Sequence, residues 1–475
     1  MRRIACFLFL SYGITTAAAQ TAAVHLNPDT TYQTINNFAA SDAWSCQFVG
    51  QWPDAKKNAI ADWLFSTDTT ASGQPVGIGL SMWRFNIGAG TDKQTDIRDE
   101  WHRAGTWETQ EGQLWFLQAA KKRHVPQFLA FLNSPPVNLT LNGKGFATKG
   151  VCNISPDKYD ALAVSITEAI SGIHKKTGIL FDYISPVNEP QWDWSDDKQE
   201  GCPYNNEQIS GVTKSLSKAL INKKIPTKIV IGEAGQLNYL YAKLNKPDKG
   251  EQIHAFFDNH SPYYVGNLAN VKHIISAHSY FTTSPAAKAI EIRSNLAKAA
   301  KNVTFWQSEY CILGDNDGEI NGEKRDYGMD AALYLARVIH YDLAVANAAA
   351  WQYWLAISPY DYKDGLIYID KNKTDGEYRD SKMLWVLGNY SRFIRPGAKR
   401  IKVSVDNNNL LVSAYKNTDQ TIYIVIVNSS KEAVKIALDK ASRAYVTSDA
   451  GNLQPIAIGK TIDIPARSVV TLTNH

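Results

Sequence analysis

The feature that most constrains this chain is a repeated alternation of two hydrophobic periods. Eight short β-rich runs occupy the first three-quarters, each followed by a stretch with helical periodicity. They fall at residues 34–40, 77–86, 127–132, 181–187, 228–232, 273–278, 303–308 and 348–354. Successive runs start roughly 30 to 55 residues apart, which suits βαβ units with insertions in their loops. Eight such units predict an α/β chain closed into a (β/α)8 TIM barrel. The clearest helical stretches are 157–174, 206–221 and 327–345.

After Pro396-Gly397 the texture changes. Stretches 401–405, 410–415, 422–427, 434–438, 443–447 and 469–472 read as strands with turns and no helices between them. They predict a small antiparallel β-sandwich side domain, and residues 23–33 are expected to pair with it and tie the two chain ends together. The expected organisation is a signal peptide at 1–19, an N-terminal strand segment at 20–34, a catalytic barrel at 35–396 and the sandwich at 397–475.

The first residues, with Arg2-Arg3, an apolar stretch from Ile4 to Ile14 and Ala17-Ala18-Ala19 before Gln20, form a secretory signal pattern. The protein is expected to be secreted or periplasmic. Loss of Arg2 and Arg3 lowers the formal charge from +4 to +2, so charge supports neither nucleic acid nor an anionic membrane as partner. No later stretch reaches about 18 apolar residues, so no membrane span is expected, and the chain is expected to be a monomer. Four cysteines follow the leader. Cys152 and Cys202 are the expected disulfide, since both lie in polar, loop-like sequence flanking one crossover unit, although spacing alone leaves the pairing open.

Catalytic groups in a barrel sit at the C-terminal ends of its strands. Three carboxylates qualify: Glu189 after the fourth run, Glu233 after the fifth and Glu309 after the seventh. A facing pair of carboxyl groups is what glycoside hydrolysis needs, one protonated for the leaving oxygen and one ionised for the anomeric carbon. Arg84, His278 and Tyr280, at the ends of the second and sixth runs, are candidate donors to the ionised partner. A lone strand-end Glu is more often a loop-capping or salt-bridged residue than a catalyst, and Glu233, the weakest of the three, reads as a substrate hydrogen-bonder or an ion-pair partner. Trp44, Trp101, Trp107, Trp192, Trp194 and Trp354 fall in or beside strand-end loops. Such rings stack on the C–H faces of sugars; Trp63, Trp115 and Trp385, within helical patterns, read as core. No H-x-H or H-E-x-x-H occurs, which ranks a metal-dependent hydrolase last.

Together the motifs resemble glycoside hydrolase family 30 of clan A. They are Asn188-Glu189-Pro190, Ser308-Glu309-Tyr310, Arg84-Phe85-Asn86-Ile87-Gly88 and Asn133-Ser134-Pro135-Pro136, in that family's strand order, with the C-terminal sandwich. The resemblance implies a retaining double displacement with Glu189 as general acid/base, Glu309 as nucleophile, Asn188 on the sugar 2-hydroxyl, a β-linked polysaccharide or oligosaccharide as substrate, and no metal or organic cofactor. The stretch from Ser185 to Trp194 looks most like the branch containing endo-β-1,6-galactanases, which act on arabinogalactan side chains. A β-1,6-glucanase, an endo-xylanase, an exo-β-glycosidase of the same family and a non-catalytic carbohydrate-binding barrel are the alternatives. Val137-Asn138-Leu139 follows the two prolines where several relatives have tryptophan and methionine. No basic residue after the eighth run resembles the uronic-acid clamp of glucuronoxylanases, although Lys363 and Arg379 are nearby.

Overall fold

The computed structural model describes residues 21–91, 97–102, 105–437 and 442–473. The expected signal peptide lies outside the described residues.

Eight parallel strands form the barrel: Asn37–Ser41, Met82–Asn86, Gln127–Phe131, Tyr183–Ser185, Lys228–Ala234, Val271–His278, Thr304–Glu309 and Ala350–Ser358. The eighth pairs with both the first and the seventh, which closes the ring. These strands are buried almost throughout, which is why their sequences read as continuous apolar runs rather than alternations. Helices Tyr159–Thr177, Asn206–Asn222 and Met329–Ala344 fill the expected places. The first ends at Gly178, whose φ of 68° is left-handed and whose N–H bonds the His174 carbonyl. The second begins at the predicted Asn206, where Asn205 as N-cap and Gln208 form a reciprocal capping box.

Nine strands make up the side sheet, and Ala22–Thr34 lies inside it, antiparallel to Lys399–Val405 and parallel to Val434–Ala437. Two of the nine, Gly451–Ala457 and Thr461–Ile464, had no counterpart in the sequence reading; they are the two edges of the sheet. Pro455 demotes the first as a strand on sequence grounds, yet an edge tolerates the missing N–H. Asn389, on helix Lys382–Ser391, donates to the Tyr445 carbonyl and to Thr471, locking the sandwich to the barrel. Among the described residues no helix is long and apolar enough to cross a membrane.

Candidate active site

The fourth, fifth, sixth and seventh strands deliver Glu189, Glu233, His278 and Glu309 to one end of the barrel. Glu189 and Glu233 both lie in left-handed backbone, with φ of 40° and 49°, and the Glu189 N–H donates to the Glu233 carbonyl at 2.9 Å. Non-glycine residues held there store strain that the surroundings must over-determine, a feature concentrated at functional sites.

His278 is fully buried. Its Nδ1 lies 2.9 Å from Glu189 Oε1 and 3.5 Å from Glu309 Oε1, and its Nε2 lies 2.9 Å from Glu233 Oε2. Burial alone would lower its pKa, but the Glu309 charge and the bonds to Glu189 and Glu233 outweigh it, and the imidazole is pushed up to about 10. Glu233 is equally buried; burial opposes its charge, yet His278, Arg84 and Ser308 hold it down at about 2. Ser185 and Ser308 complete its shell at 2.8 and 2.7 Å.

Glu309 faces this group. Arg84 Nη1 donates to its Oε2 at 2.6 Å, and the Tyr280 hydroxyl donates to Oε1 at 3.2 Å. Burial pushes the carboxyl up, with His278 and Arg84 pulling against it. Arg84 is itself fully buried, with its guanidinium 3.7 Å from the centre of the Phe131 ring. It also donates to Asn188 Oδ1 at 3.4 Å. One ligand atom each from Glu189, His278 and Glu309 lie within 4.8 Å of one another, the one such trio among the described residues that could hold a metal ion. The Nδ1 of His278 lies within hydrogen-bond reach of Glu189, so the arrangement also suits proton transfer.

Two adjoining cavities lie here, the second of them opening onto this centre. One, of about 820 Å³, runs past Trp44, His102, Tyr360 and Asp364; the other, of about 520 Å³, runs past Glu189, Glu309, Tyr280 and Phe281. Trp192, Trp194 and Trp354 line both. The two loop tryptophans depend on glycines: a Cβ on Gly201 would lie 2.3 Å from the Trp194 ring, and one on Gly235 2.5 Å from Trp192. Trp194 Nε1 in turn donates to the Glu189 carbonyl at 3.0 Å.

Several expectations change. Of the two roles expected for Glu233, the ion-pair partner holds and the substrate hydrogen-bonder does not, because the side chain has no exposed surface. Trp44 is 1% exposed and meets Trp354 edge-on at 5.4 Å, so it supports that ring rather than offering its own face. Trp101 is likewise buried, edge-on to Phe48, and Trp107 packs against Gly172 of the fourth-strand crossover helix. The Cys152–Cys202 bridge is not formed: both are free, buried thiols. They are neighbours, with a hydrogen bond between them that draws the Cys152 thiol down while burial pushes Cys202 up.

Sequence reasoning missed His102, Phe281, Tyr360 and Asp364. Phe281 is 68% exposed, with φ 57°, and meets Trp192 edge-on. His102 stacks on Tyr360, with ring centres 5.0 Å apart. The Nδ1 of His102, the hydroxyl of Tyr360, Oδ1 of Asp364 and Nε1 of Trp44 are all buried without a hydrogen-bond partner among the described residues. Burial pushes Asp364 up to about 6 and His102 down to about 4. Only the reach of the Tyr280–Phe281 pair beyond its strand end offered a sequence signal.

A closed parallel barrel with an Arg-buttressed pair of strand-end glutamates and a β-sandwich on its flank defines a clan of sugar-cleaving barrels. The chain belongs to O-glycosyl hydrolase family 30: residues 21–368 match that family, and residues 397–472 match the glycosyl hydrolase family 30 β-sandwich domain. It is similar to a conserved exported protein from Bacteroides fragilis, 33% identical, with a TM-score of 0.88 over 95% of this chain and 100% of that one. The fold is shared with the catalytic domain of a family 30 xylanase C from Talaromyces cellulolyticus, 22% identical, TM-score 0.71, over 95% of this chain and 99% of that one. Glucuronoxylanase XynC of Bacillus subtilis is 29% identical over 155 residues, 30% of this chain. The chain spans about a third of the length of that curated relative.

Proposed function

We propose that this chain is an exported, retaining endo-glycosidase that cleaves β-linked polysaccharide, with the β-1,6-galactan side chains of arabinogalactan as its substrate. The observation that carries the reading is the carboxylate separation. Oxygens of Glu189 and Glu309 lie within 4.8 Å of each other, the short spacing of double displacement (about 5–5.5 Å) rather than the roughly 6.5–9.5 Å that admits a water for inversion.

Glu309 attacks the anomeric carbon while Glu189 gives its proton to the glycosidic oxygen, forming a glycosyl ester. Glu189 then deprotonates the water that hydrolyses it. Because Arg84 donates to Asn188 Oδ1, the Asn188 Nδ2–H is left for the sugar 2-hydroxyl. The two adjoining cavities, which share Trp192, Trp194 and Trp354, give an extended cleft that supports internal cleavage of a chain.

A neutral substrate is favoured because nearby cations are already engaged. Arg98 pairs with Asp197 and Lys198 with Asp196. Lys363 donates to the Glu323 and Lys324 carbonyls, and Arg379 lies over the Tyr327 ring. The galactan assignment rests on the likeness of the segment from Ser185 to Trp194 to that branch, and export on the leader pattern of the first residues.

The test is product analysis of wild type and Glu309→Ala on arabinogalactan side chains, β-1,6-glucan and xylan, with the first-formed anomer read by proton NMR. Oligomers of β-1,6-galactose in the β configuration, from wild type alone, are expected. Release from another polymer moves the substrate. An α anomer formed first refutes retention, and no release from any polymer refutes the enzyme.

A further inference from the structure

We propose that His278 stores the proton that Glu189 delivers, with Glu233 as its fixed anionic anchor, so that the three residues form a buried relay behind the scissile bond. The inference rests on the glycosidase reading above and assigns the source of its catalytic proton. His278 acts through Glu189 and is a positioning residue, since it has no exposed surface and cannot touch a sugar.

The geometry is that of a wire with one mobile end. Glu233 accepts from Nε2–H at 2.9 Å and is saturated by Ser185 and Ser308, so the Nε2 proton stays in place. The other ring nitrogen, Nδ1, points at Glu189 Oε1 at the same distance. Among the described residues, the charged or titratable groups around the ring are Glu189, Glu233 and Glu309, Tyr280 edge-on at 5.8 Å between ring centres, and Arg84 bridging Glu309 and Glu233. Three carboxylates against one guanidinium leave room for one more positive charge, which the imidazolium supplies, and its raised pKa agrees. In the resting site the mobile proton therefore sits on Nδ1 and Glu189 is its hydrogen-bonded acceptor.

The proton balance closes over the cycle. The Nδ1–H bond of His278 breaks as the Glu189 Oε1–H bond forms. That proton passes to the glycosidic oxygen as the C–O bond breaks and the Glu309 carboxylate bonds the anomeric carbon. The site then holds neutral His278, ionised Glu189 and a glycosyl ester. In the second half, water gives hydroxide to the anomeric carbon and its proton to Glu189, the ester releases Glu309, and the proton returns to Nδ1.

The experiment pairs ring-nitrogen NMR of 15N-histidine-labelled protein with the pH profile of kcat/KM. The substrate is whichever of the three glycans above the wild type cleaves. At pH 8 the His278 ring, identified by its loss in His278→Gln, should show both nitrogens protonated. His278→Gln should move the alkaline limb of kcat/KM down by about one pH unit or more. Glu233→Gln, which keeps an acceptor for Nε2–H and removes the charge, should move it the same way, and circular dichroism should report the wild-type fold. A His278 ring with a bare nitrogen at pH 8 overturns the relay. So does a folded variant that loses rate with an unmoved limb, the mark of a merely structural role. A wild type inactive on all three glycans would refute the glycosidase reading instead, and the relay with it; the ring signals separate that failure from a relay that fails alone.

Discussion

Replacing Arg84 by Met tests what keeps the Glu309 carboxyl ionised. Methionine keeps an apolar stem against Phe131 but removes a guanidinium 2.6 Å from Glu309 Oε2 and 3.7 Å from Glu233 Oε2. All three side chains are at most 4% exposed, so water cannot replace the lost cation. Breaking one side of a buried ion pair costs about 3–5 kcal/mol, a large part of a total stability of about 5–15 kcal/mol. An adjacent guanidinium lowers a carboxyl pKa by about 1–3 units. Its loss should therefore raise the Glu309 pKa further, on top of the upward push from burial. Glu309 reacts as the anion, so the acidic limb of kcat/KM should move up by about 1–3 pH units. Urea unfolding measures the first effect and initial rates from about pH 4 to 9 the second. A folded Arg84→Met protein whose acidic limb stays at its wild-type position would refute the assignment of Arg84 as the charge that holds the nucleophile.

Gly201→Ala places a methyl group 2.3 Å from the Trp194 ring. Overpacking of that kind costs about 1–3 kcal/mol, and Trp194 holds the Glu189 carbonyl, so kcat/KM should fall by up to about 10²-fold; unchanged rates would show that the ring does not position the acid. Stability should also depend on pH in a set direction. His278 holds its proton up to about 10 against an ordinary 6.5. Its contribution is complete below about pH 6.5 and is lost as pH rises toward 10, because the unfolded chain has then released the proton. Glu233, at about 2, contributes above the ordinary carboxyl range and loses that contribution as pH falls toward 2. Urea midpoints of wild type and His278→Gln across pH 6 to 10 should diverge at the neutral end and converge at the alkaline end, and parallel curves would refute the histidine assignment.

Period and order along the chain were enough to determine the barrel. Eight buried parallel strands leave eight apolar runs, and helices between them leave no other topology of comparable economy. Placement of Asn188, Glu189, His278, Tyr280 and Glu309 at or just beyond strand ends was legible for the same reason, since a strand's end is a local property of its sequence; Arg84 instead lies at the middle of Met82–Asn86. The two unforeseen side-sheet strands are edges, where half the pairing is absent and the pattern is weakest.

Tertiary structure alone decided which of those side chains meet and which meet substrate. Glu189 and Glu233 look alike in sequence, each a glutamate closing a strand. In space one faces the cavity while the other is sealed between His278, Ser185 and Ser308. Trp44 follows the first strand and Trp354 lies within the neighbouring eighth, yet one buttresses the other. His102, Tyr360 and Asp364 come from separate loops whose course depends on contacts far along the chain, so no local pattern announces them. The physical reason is range: hydrophobic period and turn chemistry act over a few residues, whereas burial, charge balance and the pairing of buried polar groups are properties of the closed barrel.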